Sequence, residues 1–581
     1  MFICGYERFF SRLVREERSH SQFWHIMSEV LTGAEVLLHT LTANGIHVCF
    51  MNPGTSEMHF VAALDRIPEM RGILCLFEGV CSGAADGYAR AGGAPAATLL
   101  HLGPGLANGL ANFHNARKAH SPVVSIVGEH STAHLRYDAP LSANIETFAR
   151  AVSDRIRIAK SGHELGADMS AAIADAIEPP GQIAMLIVPA DLSWSPAEGC
   201  GAVVALPMRR MPSGAAVDRA AELARKPGTA LLLGGSALAP HALDAAARLS
   251  AATGVRVYIA RNVPKIWSGR GRYQPTQVPY FPEPALALFA DIQNLILVEA
   301  KTPVSFFGYP NTPGCMVPDS CRISLLAGVD EDGAGALQAL AQGCPAVVQP
   351  ARPATQPADH GPLTLDAIGS VIAAYLPEGS LISEEMVSSA APVLGFLANA
   401  APHEFMPVAG GSIGQGLPVA VGAAVACPER KVIALEADGS GMYTLQALWT
   451  MAREKLNVLT VIFANRRYRI LDIEMRRTGA NGFGPAAGNL IDIGNPDLDW
   501  VSLAAGMGVD ATRATSAEEF AAQFRGAVRE QGPRLIEAVI APSVRLTIPF
   551  CLFVDCPLAL AGTLASCAPV RGALGPGWAL K

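Results

Sequence analysis

Short apolar runs closed by glycine or proline turns alternate with segments of helical periodicity along most of the chain. From Thr32, AEVLLHTLTANG carries apolar residues at helical spacing and stops at Gly45, and IHVCFMNPG then reads as a strand ending in a turn. The pattern returns in GILCLFEG and PAATLLHLGPG, each followed by a helix, and in SPVVSIVGEH. A second series starts near Pro207 with the strand GTALLLGG, the helix HALDAAARLSAAT and the strands GVRVYIA and NLILVEA. A third comprises GSLISEE, HEFMPVAGG, KVIALEA, NVLTVIFAN and PRLIEAVI, with a helix expected over TLQALWTMAREK. Such alternation predicts an α/β fold of doubly wound parallel sheets covered by helices. The organisation expected is an N-terminal extension (1–30), α/β units at 31–200 and 205–350, a Pro-rich linker (351–363), a third unit (364–542) and a tail (543–581).

Composition narrows the classes. A chain of 581 residues, half of them hydrophobic, has the volume for three or four domains of ~150 residues and is no disordered segment. The net charge of −7 is spread along the chain and leaves no basic patch, which argues against nucleic acid as a partner. Twelve cysteines are scattered without zinc-like spacing, and Cys315/Cys321 and Cys551/Cys556 have no histidine near them. Reduced thiols and a cytoplasmic location are expected. The stretch from Leu546 to Val570 is apolar, but Pro549, Asp555 and Pro557 interrupt it, so no membrane span is expected. Glu7, Arg12, Arg15 and Glu16 break the apolar core that a signal peptide would need.

The candidate chemistry is concentrated between Lys431 and Tyr468. KVIALEA leads into Asp438-Gly439-Ser440-Gly441, and the following strand leads to Asn465. Successive parallel strands place Asp438 and Asn465 at one sheet edge, where α/β proteins bind ligands. A carboxylate and an amide oxygen are hard donors suited to Mg²⁺, and Gly439 and Gly441 allow backbone N–H groups to approach a diphosphate. The same residues also suit an ordinary helix cap and turn. Glu78, directly after the strand GILCL, is either a helix-dipole carboxylate or a functional one.

At these positions the chain resembles the thiamine diphosphate (ThDP) enzymes. Their G-D-G…N-N metal motif stands here as Ala437-Asp438-Gly439 and Asn465-Arg466, and EGVCSGAADGYAR follows their E-x-x-x-x-x-A-D-G-Y-A-R pattern. The resemblance implies pyrimidine-binding, central and diphosphate-binding domains, with Mg²⁺ held by Asp438, Asn465 and the Arg467 carbonyl. It implies that Glu78 hydrogen-bonds the aminopyrimidine ring and that Ile413 lies beneath the cofactor. Ser388, Gly411, Ser412, Gly439 and Ser440 become expected cofactor contacts.

Thr55 and His101 fall where the benzoylformate decarboxylase-like pattern has a serine and an acid–base histidine, whereas His114, His120 and His130 read as structural. That pattern's second histidine is replaced by Phe307, Gly308 and Tyr309, and the synthase's basic residue by Ser153-Asp154. No flavin motif is recognisable in the central unit, where the GGS at Gly234 is a lone glycine turn, and bound FAD is left open. The implied activity is decarboxylation of a 2-oxo acid to a ThDP-enamine and its ligation to a second carbonyl, as in acetolactate synthase. The alternatives are a non-oxidative decarboxylase of benzoylformate type and a degenerate, non-catalytic nucleotide-binding or assembly partner. A homodimer or homotetramer with sites between subunits is implied as well.

Overall fold

Thr32 starts the first helix with a capping box. Its hydroxyl accepts from the Glu35 N–H, Glu35 accepts from the Thr32 N–H, and the helix Gly33–Ala43 ends before Gly45 at φ +76°. The computed structural model describes residues 31–349, 353–480 and 484–540. The expected extension 1–30 and tail 543–581 lie outside them.

The first sheet contains β1 (Val48–Asn52), β2 (Arg71–Leu74), β3 (Ala96–Leu100), β4 (Val123–Glu129), β5 (Arg155–Ile158) and β6 (Ile183–Pro189). They are all parallel, in the order β2-β1-β3-β4-β6-β5. The central segment supplies β7 (Thr229–Leu233), β8 (Arg256–Ile259), β9 (Ile266–Ser268), β10 (Thr276–Gln277), β11 (Asn294–Val298) and β12 (Arg322–Ala327). Five of these form a parallel sheet, β10-β8-β7-β11-β12. The third sheet has β13 (Leu381–Glu385), β14 (His403–Pro407), β15 (Val432–Ala437), β16 (Val458–Ala464), β17 (Asp510–Ala514) and β18 (Arg534–Val539), in the order β17-β18-β16-β15-β13-β14. Its core strands β15 and β16 are buried throughout, as a sheet covered on both faces requires. β9 leaves the central sheet and pairs antiparallel with β14, a departure from the all-parallel pattern.

Two features fasten the units together. The helices Glu78–Gly92 and Gly416–Ala426 cross with backbone nearly touching backbone. A Cβ at Gly422 would lie 1.8 Å from the Ala84 carbonyl oxygen, and one at Gly87 would lie 2.2 Å from that of Val419. The second fastening is Arg90, a buried side chain paired with buried Asp86 at 3.3 Å. It donates to the carbonyl of Pro264 at 2.7 Å and to that of Pro407 at 2.7 Å. One guanidinium thus joins the first, central and third units. The A-D-G-Y-A-R run therefore has structural work besides its place after Glu78. Among the described residues no helix is long and apolar enough to cross a membrane, and all the described cysteines are free.

Candidate active site

Asp438 lies at the carboxyl end of β15, and Asn465 follows the neighbouring β16. The two loops meet directly. The N–H of Arg466, at φ +60°, donates to Asp438 Oδ2 at 2.6 Å, and Gly439 N–H donates to Oδ1 at 2.9 Å. Burial pushes the Asp438 carboxyl up to about 6 in spite of these backbone donors. Asn465 Oδ1 accepts from Arg467 N–H at 2.9 Å, and the Arg467 carbonyl accepts from Arg469 N–H at 2.8 Å. Asp438–Gly441 forms one short helical turn, and the helix expected over TLQALWTMAREK is shorter than that run, from Ala447 to Arg453. Gly439 needs its missing side chain, since a Cβ there would lie 2.4 Å from the Tyr468 ring. Ser440 is buried within the short turn.

Ser388 and the loop Gly411–Ile413 belong to this sheet edge too, after β13 and after β14. Gly411 and Gly414 adopt φ +80° and +90°, conformations open to glycine. Behind the loop, Glu385 accepts the N–H groups of Gly414, Gln415 and Gly416 at 2.6, 2.8 and 2.5 Å, which fixes the backbone around Ile413.

A second cluster occupies the strand ends of the first sheet. Glu78 is buried at the first position of its helix, and Asn108 Nδ2 donates to its Oε2 at 2.9 Å. His101 is the N-cap of the helix Leu102–Ala119, and its Nδ1 lies 2.8 Å from Glu57 Oε2. Glu57 is fully buried, also accepts from Gly54 N–H at 2.8 Å, and leaves its Oε1 without a hydrogen-bond partner. Burial raises its pKa, opposed by Gly54 and His101. The His101 ring covers Gly54, next to exposed Thr55. Gly105 separates His101 from Glu78: a Cβ there would lie 3.1 Å from Glu78 Oε1 and 3.5 Å from His101 Cβ. Thr55, Glu57, Glu78 and His101 are therefore one constellation.

A family model described as the thiamine pyrophosphate enzyme N-terminal TPP binding domain matches residues 31–144, and the corresponding C-terminal TPP binding domain matches 389–538. A Mycobacterium tuberculosis protein provisionally named acetolactate synthase large subunit IlvX is 46% identical over 88% of this chain and 99% of its own length. The chain belongs to the thiamine pyrophosphate enzyme family. Benzoylformate decarboxylase of Pseudomonas aeruginosa is 28% identical, covering 86% of this chain and 96% of that protein. The fold matches that of a solved ThDP-dependent 4-hydroxybenzoylformate decarboxylase from Rhodococcus jostii RHA1. There the TM-score is 0.75 at 23% identity, over 88% of this chain and all of that one.

As a ThDP family member, the chain carries donors that suit the cofactor and its metal. Asp438, Asn465 and the Arg467 carbonyl are oxygen donors of the kind Mg²⁺ prefers, and a cation beside Asp438 would restore the charge that burial disfavours. Among the described residues no cluster of three or more His, Cys, Asp or Glu could hold a metal ion.

The helix after His101 holds residues that the sequence motifs did not single out. Gly105, Asn108, Asn112 and Asn115 lie on one helical face. Asn112 donates to the carbonyls of Gly79 and Gly414 at 2.8 and 3.0 Å. Asn115 exchanges hydrogen bonds with the backbone of Ser412 at 2.8 and 3.1 Å. This polar stripe holds Glu78 at one end and the Gly411–Gly414 loop at the other. Its spacing of three and four residues was the available signal. Glu57 had none beyond its nearness to Thr55.

His114, read as structural, contacts the Gly410 carbonyl through Nε2 at 3.1 Å, and His120 caps its helix at φ +55°. His130 Nε2 is buried without a partner. In the segment that lacks the second histidine, Phe306 packs against Gly411, and Tyr309 donates to Glu474 Oε2 at 2.9 Å.

Proposed function

We propose that this chain binds ThDP with Mg²⁺ and decarboxylates a 2-oxo acid, passing the acyl carbanion equivalent to a second carbonyl as in acetolactate synthesis. Glu78 carries the reading: it is a buried carboxyl at a helix start, held by Asn108, in a chain whose two TPP-binding regions match the family. When bound, ThDP supplies a carbon nucleophile and a sink for the electrons left by CO₂. Asp438, Asn465 and the Arg467 carbonyl hold the metal. Gly411, Ser412, Gly439, Ser440 and Ser388 contact the cofactor, and Ile413 supports it from below. Glu78 would hydrogen-bond the aminopyrimidine ring nitrogen and exchange a proton with it.

His101 moves protons at the substrate oxygen or carbon. Glu57 accepts from its Nδ1–H and so presents Nε2, the arrangement in which a carboxylate fixes the tautomer of a catalytic imidazole. Thr55 binds the substrate carboxylate. The half-exposed Phe306 beside Gly411, with Phe307 edge-on to it, supports an apolar acyl group.

The Glu57–His101 pair also favours a second reading, in which protonation of carbon releases a free aldehyde, as a benzoylformate-type decarboxylase would. Proton NMR of products distinguishes the two. Protein with ThDP and Mg²⁺ is offered pyruvate and benzoylformate. An acyloin or acetolactate is expected, free aldehyde alone would install the second reading, and no conversion of any 2-oxo acid would remove both.

We also propose a homodimer or homotetramer with shared sites. Leu135, Tyr137 and Leu141 support this, because they are exposed apolar residues in the segment that follows β4, at the His101 edge of the sheet. The free cysteines fit a cytoplasmic location.

A further inference from the structure

The strand ends of the central sheet, where an α/β unit would hold a dinucleotide, contain a carboxylate of the chain itself. Glu299 follows β11 at φ +48°, a strained backbone conformation for a non-glycine residue that persists only where the surroundings hold it. Its side chain is only 2% exposed. Oε2 accepts from Arg209 Nη1 at 2.8 Å and from Ser236 N–H at 3.0 Å. Oε1 accepts from Gly333 N–H at 2.9 Å and from the Ser236 hydroxyl. These donors are those of a phosphate site: a glycine-rich turn after β7, the first residue of the helix Gly333–Leu340, and a guanidinium.

The glycines make room for the carboxylate. A Cβ at Gly235 would lie 2.1 Å from Glu299 Oε2, and one at Gly333 would lie 2.5 Å from Oε1. Lys118 and Lys301 add positive charge near Arg209, close enough for all three to act on His120. The region is built for an anion, and the anion is already present.

We propose that the Glu299 carboxylate occupies the anion position of the central unit and closes it to the diphosphate of a flavin. The residues present do not fit FAD, because the Arg209 guanidinium, the Ser236 N–H and hydroxyl and the Gly333 N–H that a diphosphate there would need are engaged by Glu299. Emptied, the cradle would take a phosphate-class anion.

The full chain loaded with ThDP and Mg²⁺, so that its cofactor site is filled, provides the test. Wild-type protein incubated with excess FAD and desalted is expected to show no flavin absorbance, whereas flavin retained at one per chain overturns the proposal. Glu299→Gly removes both the carboxylate and the strained conformation. Inorganic phosphate at millimolar concentration is expected to raise its melting temperature by roughly 5 °C and leave wild type unmoved. A folded Glu299→Gly protein whose stability ignores phosphate overturns the cradle assignment. Should that variant fold poorly, Glu299→Asn, which tolerates the positive φ, loses the charge and withdraws the side chain by one methylene, is expected to show the same selective response to a smaller extent. Its absence in folded Glu299→Asn counts against the proposal, and the wild-type flavin measurement decides independently of either variant.

Discussion

Replacing Arg90 by leucine removes a side chain that bonds to all three units. The change strands Asp86, whose carboxylate is 0% exposed and would keep only the Ser121 hydroxyl. It also takes their guanidinium donor from the carbonyls of half-buried Pro264 and buried Pro407, the latter left with Gln415 Nε2 at 3.4 Å. Burial lowers the Arg90 pKa and raises that of Asp86, with each partner opposing the shift of the other, so the pair is stable only as a pair. Breaking a buried ion pair on one side costs about 3–5 kcal/mol, much of it from the charge left behind. At roughly 2–4 °C per kcal/mol for large domains, the melting temperature of Arg90→Leu should fall by ~10 °C. Thermal unfolding followed by circular dichroism reads this, as a midpoint rather than a free energy, because a chain of this size need not unfold in two states. The double variant Asp86→Leu/Arg90→Leu should recover part of the loss, since no uncompensated charge remains. A single variant within about 2 °C of wild type, or a double variant no better than the single, would refute the clamp.

His403 is buried, its Nδ1–H donates to the Ala401 carbonyl at 2.8 Å, and burial lowers its pKa to about 4 from 6.5. Below pH 6.5 the unfolded chain takes up a proton that the folded chain refuses until pH 4, so stability falls as the pH drops through that window, by roughly 3 kcal/mol in all. His403→Leu should flatten this part of the melting profile, and an unchanged slope would acquit His403. Glu57→Gln should reduce kcat by about tenfold or more with little change in melting temperature, because orientation of His101 is lost while the buried charge disappears. Turnover at the wild-type rate would return Glu57 to a structural role. Asp438→Ala should weaken Mg²⁺-dependent ThDP binding by at least ~100-fold in calorimetry, beyond what loss of an outer-sphere contact produces; wild-type affinity would relocate the metal.

The parts of the fold with strong apolar runs were legible in the sequence: β1, β3, β4, β7, β11, β15 and β16 all stand where continuous hydrophobic stretches predict them. β5, β6, β9, β10, β12 and β17 were not, β6 in spite of its apolar run IAMLIVP. Arg155–Ile158 and Asp510–Ala514 are edge strands whose charged, half-exposed side chains erase the apolar signal. Ile266–Ser268 is too short for any periodicity and is a strand only because β14 offers it an edge. At the site, Asp438, Asn465 and Glu78 were visible because a strand end followed by glycine or a helix is a local pattern. Glu57 meets His101 across 44 positions, and Glu299 meets Ser236 and Arg209 across 63 and 90. Only the sheet order brings such pairs together.

The central claim is that this chain decarboxylates a 2-oxo acid and that Glu78 is essential to it. Its most direct test is CO₂ release from a panel of 2-oxo acids by wild type and Glu78→Gln, both saturated with ThDP and Mg²⁺ and both checked for cofactor binding. Wild-type protein should release CO₂, and Glu78→Gln should do so about 100-fold more slowly or worse while still binding ThDP. Equal rates in the two proteins, or no release by the loaded wild type from any acid in the panel, would contradict the account.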